Sequence, residues 1–561
     1  MILPSPHADS DNWTLTTAPV RSPRGAVAAQ HRLAARAGAA QLDAGGNAVD
    51  AIVATAYALN AVEPWMCGLG GSGFMVIWLA REQRAVALDF QGTLPGAIRL
   101  DDYPIDPERP KTPMGFPGVV DDANIAGYRS ITVPGAVAGL DHALTRFGSR
   151  PRAEVMAPAI TLAERGLHVD WFTTLQIALC ADTLARDPTS AAIYLPGGHP
   201  ATPESRLRIP QLADTLREIA AGGAETFYRG KLAKQIVADL QAGGSRLTHE
   251  DLAGYAVHEY APMLATHRGY TLYTPGEASG GLRQREMLAH AEAAMPTPPA
   301  RPTPATWVAY AEALEACWRQ HKIRTGVLPP SAGEDVNGGN ANGGYVNGES
   351  VDGEHGACTS SMSAVDADGN MVALTYTLLN RFGSGVTLPT TGMLMNDSVS
   401  YFDPRPGYPT TMAGGKRINS SNMCPTVAVK DGEARFSVGA SGGNLIMPAV
   451  TQVAALMMDF GMSLEEAMHH PRLDASHRGS IRVDPRFDAA TLAALESRFP
   501  LEIAQSLVFP KLYACVSGVA RDPASGECVG LGDPTQPIGG GATPAPFQLG
   551  PLSDTAPEVR P

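Results

Sequence analysis

The chain has 561 residues, 44% of them hydrophobic and 18% charged, a globular composition whose length leaves one or two domains open. A formal net charge of −13 excludes a nucleic-acid backbone as partner, because phosphate binding needs a clustered basic surface. Seven scattered cysteines (Cys67, Cys180, Cys317, Cys358, Cys424, Cys515, Cys528), with no CxxC or Cys/His spacing, indicate neither a zinc site nor a disulfide framework, so no metal or cofactor is expected.

Residues 1–23 form a polar lead-in without a basic n-region and apolar h-region, and no run of eighteen apolar residues follows anywhere. The expectation is a cytoplasmic protein with no membrane partner. Residues 24–43 read as one Ala-rich helix stopped at Gly45-Gly46. Asn47 then caps a second helix to Asn60, with small residues nearly all round, as suits close packing on a sheet. Gly68, Gly70 and Gly73 satisfy G-x-G-x-x-G, but the run follows a helix and opens a strand, the reverse of a dinucleotide fingerprint. It reads as a glycine turn where helix and sheet approach closely.

Residues 333–356 are Asn/Gly-rich, cannot bury enough apolar surface to order themselves, and read as a flexible tether. Directly after them, Ser363-Ala-Val-Asp366, the turn Ala367-Asp-Gly-Asn370 and the run 371–377 spell a hairpin. Thr359 opens its first strand. A hydroxyl residue at the mouth of a core strand, beside a flexible loop, is where a chain can be cut to expose a new amino terminus. Helix signals resume after Gly442-Gly443, with 447–460 buried and 463–468 capped by Ser463, and the Pro-rich tail after Pro544 reads as frayed.

The stretch Thr359-Ser-Ser-Met-Ser363-Ala-Val-Asp366-Ala-Asp-Gly369-Asn370 resembles the T-[TS]-x-x-S-[VA]-V-D-x-x-G-N setting of the γ-glutamyltranspeptidases and related N-terminal-nucleophile (Ntn) amidohydrolases. GGNAVDA at 45–51, the E-P-x-x-x-G-x-G-G-x-G-F block from Glu63 to Phe74, and stretches at 133–140, 157–166, 223–230 and 247–255 carry the resemblance over most of residues 24–485. Residues 276–281 match the family's P-S-S-G-G more loosely.

The resemblance implies an α/β (α+β) fold, a four-layer αββα sandwich formed jointly by two autoproteolytic fragments. The large fragment is 24–358, behind the lead-in, and the small one is 359–561, separated at the Cys358–Thr359 bond and retained as a heterodimer. Pairing of two such heterodimers is left open. It further implies that the freed Thr359 hydroxyl attacks an amide carbonyl while its own α-amino group, of ordinary pKa about 7.7–8.0, takes the proton. Thr377 matches the Thr that supports the nucleophile. Gly442 and Gly443, in a run resembling G-[SA]-[PS]-G-G-x-x-I, match the backbone donors of the oxyanion hole.

Substrate positions depart from the family. The Arg of its D-F-R-E block is Gln91 here, an Asn after the hairpin is Leu379, and N-N-[QE]-M-x-D becomes 396–401, with Ser398 and with Tyr401 in place of the Asp. Arg381 offers a replacement cation, its ordinary reading being a solvated surface charge, and Ser421 and Asn422 match a substrate-contacting Ser-Ser position in part. Charge-assisted hydrogen bonds contribute roughly 1.5–3 kcal/mol each, so losing two anchors disfavours a γ-glutamyl group. The expected activity is cleavage of a small carboxylated amide or acyl-amide through an acyl-enzyme. The competing readings are a γ-glutamyltransferase or glutathione hydrolase with a rebuilt glutamate pocket, and an uncut binding scaffold, for which Ser361, where many members have His, leaves room.

Overall fold

The computed structural model describes residues 15–112, 114–328, 357–476, 479–509, 511–550 and 558–559. The proposed tether at 333–356 lies outside them. Numbered along the chain, the strands that position the site are β1 (Gly25–Ala29), β2 (Ser72–Leu79), β3 (Arg84–Phe90), β4 (Met263–His267), β5 (Tyr270–Thr274), β6 (Ala357–Asp366), β7 (Met371–Asn380), β8 (Thr426–Lys430), β9 (Glu433–Ser441) and β10 (Cys515–Arg521). The helices are α1 (Arg32–Asp43), α2 (Ala48–Val62), α3 (Ala136–Phe147), α4 (Arg152–Arg165), α5 (Gly281–Ala294), α6 (Pro304–Arg324) and α7 (Ile446–Phe460).

Every residue of β7 from Met371 to Leu379 is buried, so this strand must be covered on both faces. Among the described residues two seven-stranded sheets achieve this, the first running through β1-β6-β7-β2-β3 and the second through β10-β9-β8-β5-β4. Alternate residues of the hairpin serve the two faces: Met362, Ala364, Val372 and Leu374 pack with α1–α4, whereas Val365, Met371 and Ala373 pack between the sheets. Helices α5–α7 cover the second sheet, completing four layers. Because β6 and β7 are hydrogen-bonded between β1 and β2, the chain on either side of residue 358 is interleaved within one sheet. No described helix is long and apolar enough to cross a membrane.

Two expectations are corrected. Residues 24–43 are not one helix: Gly25–Ala29 is a buried strand paired on both sides, and the helix starts at Arg32 with His31 as its cap. Alanine's helix preference yields to tertiary pairing, since only small residues fit where a Cβ at Gly25 would lie 2.6 Å from the Val365 carbonyl oxygen. The tail after Pro544 is not frayed as far as Gly550. Phe547 and Leu549 pack on the core, and Arg36 and Arg165 donate to the Gln548 and Gly550 carbonyls at 2.5 and 2.8 Å.

Asp459, in the last turn of α7, joins that helix to α6 and β4. It accepts from Tyr310 Oη at 2.6 Å and Arg268 Nε at 2.9 Å, and meets the His267 ring at 2.8 Å. Burial pushes its carboxyl up, but the His267 and Tyr310 hydrogen bonds, the His267 charge and Arg268 outweigh that and hold it below the usual carboxylate range. Asp459→Asn should therefore lower stability by about 3 kcal/mol, the order expected when a buried ion pair loses one partner. Because the folded pKa is depressed, this contribution is complete above the unfolded value of about 3.9 and fades as pH falls through the folded one. Urea unfolding of both proteins at pH 7 and pH 3 checks this: the gap should narrow at the lower pH.

Candidate active site

Thr359 sits at a β-bulge. Cys358 pairs with Leu379 and Ser360 with Tyr376, so Thr377 and Leu378 together face Thr359. A bulge turns a side chain out of ladder register, and here it lets Thr377 reach across. The Thr359 hydroxyl lies 2.8 Å from the Cys358 carbonyl oxygen and 3.4 Å from Thr377 Oγ1. Thr377 Oγ1 accepts from the Leu379 N–H at 2.8 Å and donates to the same Cys358 carbonyl. The Leu379 bond thus aims the Thr377 proton at that oxygen. In the uncut chain the arrangement can perform an N-to-O acyl shift: the Thr359 hydroxyl adds to the Cys358 carbonyl carbon while Thr377 stabilises the developing oxyanion, the C–N bond breaks as the hydroxyl proton passes to the departing nitrogen and frees the Thr359 amine, and water then hydrolyses the ester to restore the hydroxyl and leave Cys358 as a carboxylate.

Beside this bond lies a carboxylate to which the motifs assign no part in the chemistry. Glu63, which ends α2, accepts from Ser360 Oγ at 2.8 Å and from Gln536 Nε2 at 3.1 Å. Burial pushes its carboxyl up to about 7 against the pull of Ser360, Lys511 and Gln536. The signal available in sequence was its place in the Glu63-Pro64 block. Ser361 is fully buried at 3.1 Å from Thr375 Oγ1, its carbonyl accepting from Ser517 Oγ at 2.7 Å. At the end of β9, Gly442 (φ +141°) and Gly443 (φ +55°) hold a turn whose 443–445 portion packs on β6. These positive φ values, and an Ala514 Cα 2.9 Å from where a Gly442 Cβ would stand, explain the glycine pair.

Arg381 is not a solvated surface charge. It is 8% exposed, makes no ion pair among the described residues, and leaves Nε without a partner. Its guanidinium reaches the Cys358 and Cys180 thiols. Leu379 (φ +86°) and Phe382 (φ +61°) flank it in a backbone region unusual for such residues, strain of a kind that clusters at functional sites. Asn380 secures the turn, donating from its backbone to Asp397 Oδ1 at 3.0 Å and from its side chain to Oδ2 at 2.5 Å, while burial pushes the Asp397 carboxyl up to about 7.

Gln91 is fully buried with neither side-chain amide atom partnered, and Ser398 Oγ is likewise orphaned. Buried polar atoms without partners call for an explanation, and a ligand supplies one. The two segments are tied together by Asn396, whose Oδ1 accepts from Thr132 and from the Ser398 N–H, while Thr132 lies against Gly92. Tyr401 is buried, its phenol pushed up by desolvation and hydrogen-bonded to Ser421. It shares one apolar cluster with Leu379, Leu94, Val399 and Phe402. Asn422 Nδ2 donates to Asn444 Oδ1 at 2.6 Å, which ties it to the glycine turn. Ser421 and Asn422 are therefore beside that turn, Arg381 is beside the Thr359 peptide bond, and no hydrogen bond joins Gln91 or Ser398 to Thr359 among the described residues. The seven cysteines are free thiols.

A four-layer αββα sandwich with a buried Thr at a bulged central strand, its hydroxyl on the carbonyl of the preceding residue, defines a self-processing Ntn amidohydrolase. The family model for γ-glutamyltranspeptidase matches residues 34–542, and the chain belongs to that family. It is 34% identical, over 91% of its length and 90% of the relative's, to an acylase ACY 1 proenzyme from Pseudomonas sp. strain V22. It is 30% identical to the glutathione hydrolase proenzyme of Escherichia coli K12, over 92% of this chain and 91% of that one. Among solved structures, cephalosporin acylase from Bacillus halodurans superposes with a TM-score of 0.80 and 25% identity, covering 97% of this chain and 99% of that chain.

Proposed function

We propose that the mature enzyme hydrolyses amides whose acyl half ends in a carboxylate. Thr359 is the nucleophile and its α-amino group the base, Thr377 supports the nucleophile, and the Gly442 and Gly443 N–H groups receive the oxyanion. Arg381 binds the distal carboxylate, and Gln91, Ser398, Tyr401, Ser421 and Asn422 line the acyl site. One observation carries the substrate reading: Leu379 and Tyr401, where the family holds the glutamate ammonium with Asn and Asp, lie in one apolar cluster, while Arg381, a buried cation that makes no ion pair among the described residues, stands beside the Thr359 bond. Such a site has a partner for an acyl carboxylate, while Asp397, the carboxylate that bears on Tyr401, is already taken up by Asn380. The acylase relatives support it.

The test is a series of p-nitroanilides, glutaryl, butyryl and γ-glutamyl, with the wild type and Arg381→Gln. Glutaryl should be preferred over butyryl, and the substitution should cut its kcat/KM by about 10- to 100-fold, the worth of one charge-assisted hydrogen bond, with butyryl nearly unchanged. Faster release from the γ-glutamyl anilide, with Arg381→Gln without effect, would establish the other reading, glutathione hydrolysis through a rebuilt pocket, which the glutathione hydrolase relatives favour.

A further inference from the structure

Arg283 lies in the first turn of α5, outside every motif that the sequence offers for catalysis. It is 2% exposed and has no carboxylate partner among the described residues. Its Nη2 donates to the Ser421 carbonyl at 3.0 Å and to Asn422 Oδ1 at 2.7 Å, and its Nη1 lies 2.6 Å from the His321 ring. Its plane stands over Trp318 at 5.0 Å, and its Nε has no partner. A buried guanidinium whose direct partners are a carbonyl, an amide oxygen and an imidazole, with the neighbouring Glu286 ion-paired to Arg324 instead, is a costly arrangement that a purely structural role does not require.

The hydrogen bonds continue from there. Since Arg283 holds Asn422 Oδ1, the Asn422 amide can point only its Nδ2 at Asn444, which it reaches at 2.6 Å. Asn444 directly follows Gly443. An arginine is always a donor, so it fixes which way the Asn422 amide faces; a neutral residue would leave that amide free to flip.

We propose that Arg283 is a positioning residue for amide hydrolysis: through Asn422 and Asn444 it holds the Gly442–Gly443 turn in the orientation that receives the oxyanion, and it places a positive charge without a direct carboxylate partner behind it. This rests on the reading of that turn given above. Burial pushes the guanidinium down to about 10, so it remains charged at neutral pH. The charge and the fork act together, because a lysine could supply the first but not the paired contacts to Ser421 and Asn422.

Self-cleavage does not depend on this relay. In the uncut chain the Cys358 carbonyl is held by Thr377 and Thr359, not by the glycine turn. Arg283→Met should consequently mature into two fragments at the wild-type rate, showing an intact fold, and yet hydrolyse its best p-nitroanilide with kcat reduced by about 100-fold, any change in KM through Ser421 and Asn422 being several times smaller. A misplacement of about 1 Å at an oxyanion donor has an effect of this size. Arg283→Lys should recover only a part of the loss. Asn444→Ala should be slow as well, and the Arg283→Met/Asn444→Ala double variant no slower than the worse single one, because both act through one relay.

A matured Arg283→Met enzyme with wild-type kcat overturns the inference, as does loss of maturation and melting temperature together, which would mark the arginine as structural. Additive losses in the double variant overturn the relay. If the wild type itself matures but cleaves none of the anilides, the proposed function has failed instead, a result distinct from any of these.

Discussion

Thr359→Ala is expected to remain a single chain of 561 residues, where the wild type resolves under denaturing conditions into fragments of 358 and 203 residues with threonine at the new amino terminus. The substitution removes one buried hydroxyl whose partners are the Cys358 carbonyl and Thr377 Oγ1, and leaves the rest of the packed strand in place. The fold should survive with little change in melting temperature. Amide hydrolysis should fall by about 10⁴-fold or more, as when the nucleophile of a catalytic unit is removed, since the variant lacks both the attacking oxygen and the freed amine. Intact mass beside an anilide assay reads both outcomes. Cleavage of the Thr359→Ala chain at the same bond would rule out the acyl shift.

The second large effect belongs to Thr377→Val. Valine keeps the shape of the buried side chain but loses the proton aimed at the Cys358 carbonyl and the oxygen that receives the Leu379 N–H. Self-cleavage should slow by about 10²- to 10³-fold, the usual consequence of deleting one oxyanion donor. The orphaned Leu379 N–H should cost about 1–3 kcal/mol of stability, since a buried donor is left unpaired. Freshly synthesised protein followed by intact mass over hours would show uncut chain accumulating. Maturation at the wild-type rate would mean that some other group polarises the carbonyl. Arg283→Met should differ in leaving the cut at its wild-type rate and slowing only the turnover that follows, whereas Thr377→Val should slow the cut itself.

Much of the scaffold is legible in the chain itself. The hairpin around Gly369-Asn370, the Asn47 cap, the glycine turn at 68–73 opening β2, and the helix after Gly442-Gly443 are local features, written in neighbouring residues, and the structure has each. The error at 24–43 arises from the same cause. Alanine runs fit a helix or a crowded strand equally well, and only the flanking β6 and the 540–542 strand select the strand for Gly25–Ala29.

The site divides along the same line. The residues alone show that a threonine follows an Asn/Gly-rich run and opens a hairpin, that glycines follow a strand pattern near 442, and that the family's charged glutamate anchors are missing. They do not determine where a charge goes. Arg381, in a turn of polar appearance, is buried because Phe382 beside it packs against Trp65 and Tyr194. Arg283, followed in its helix by Gln284, Arg285 and Glu286, is buried because Trp318 and the 421–422 segment close over it. Leu379 and Tyr401 become one apolar patch only when Leu94 is brought beside them. Burial and desolvation depend on residues scores or hundreds of positions away, so the fate of a buried charge is decided by the tertiary fold, whereas a turn or a cap is decided by its neighbours.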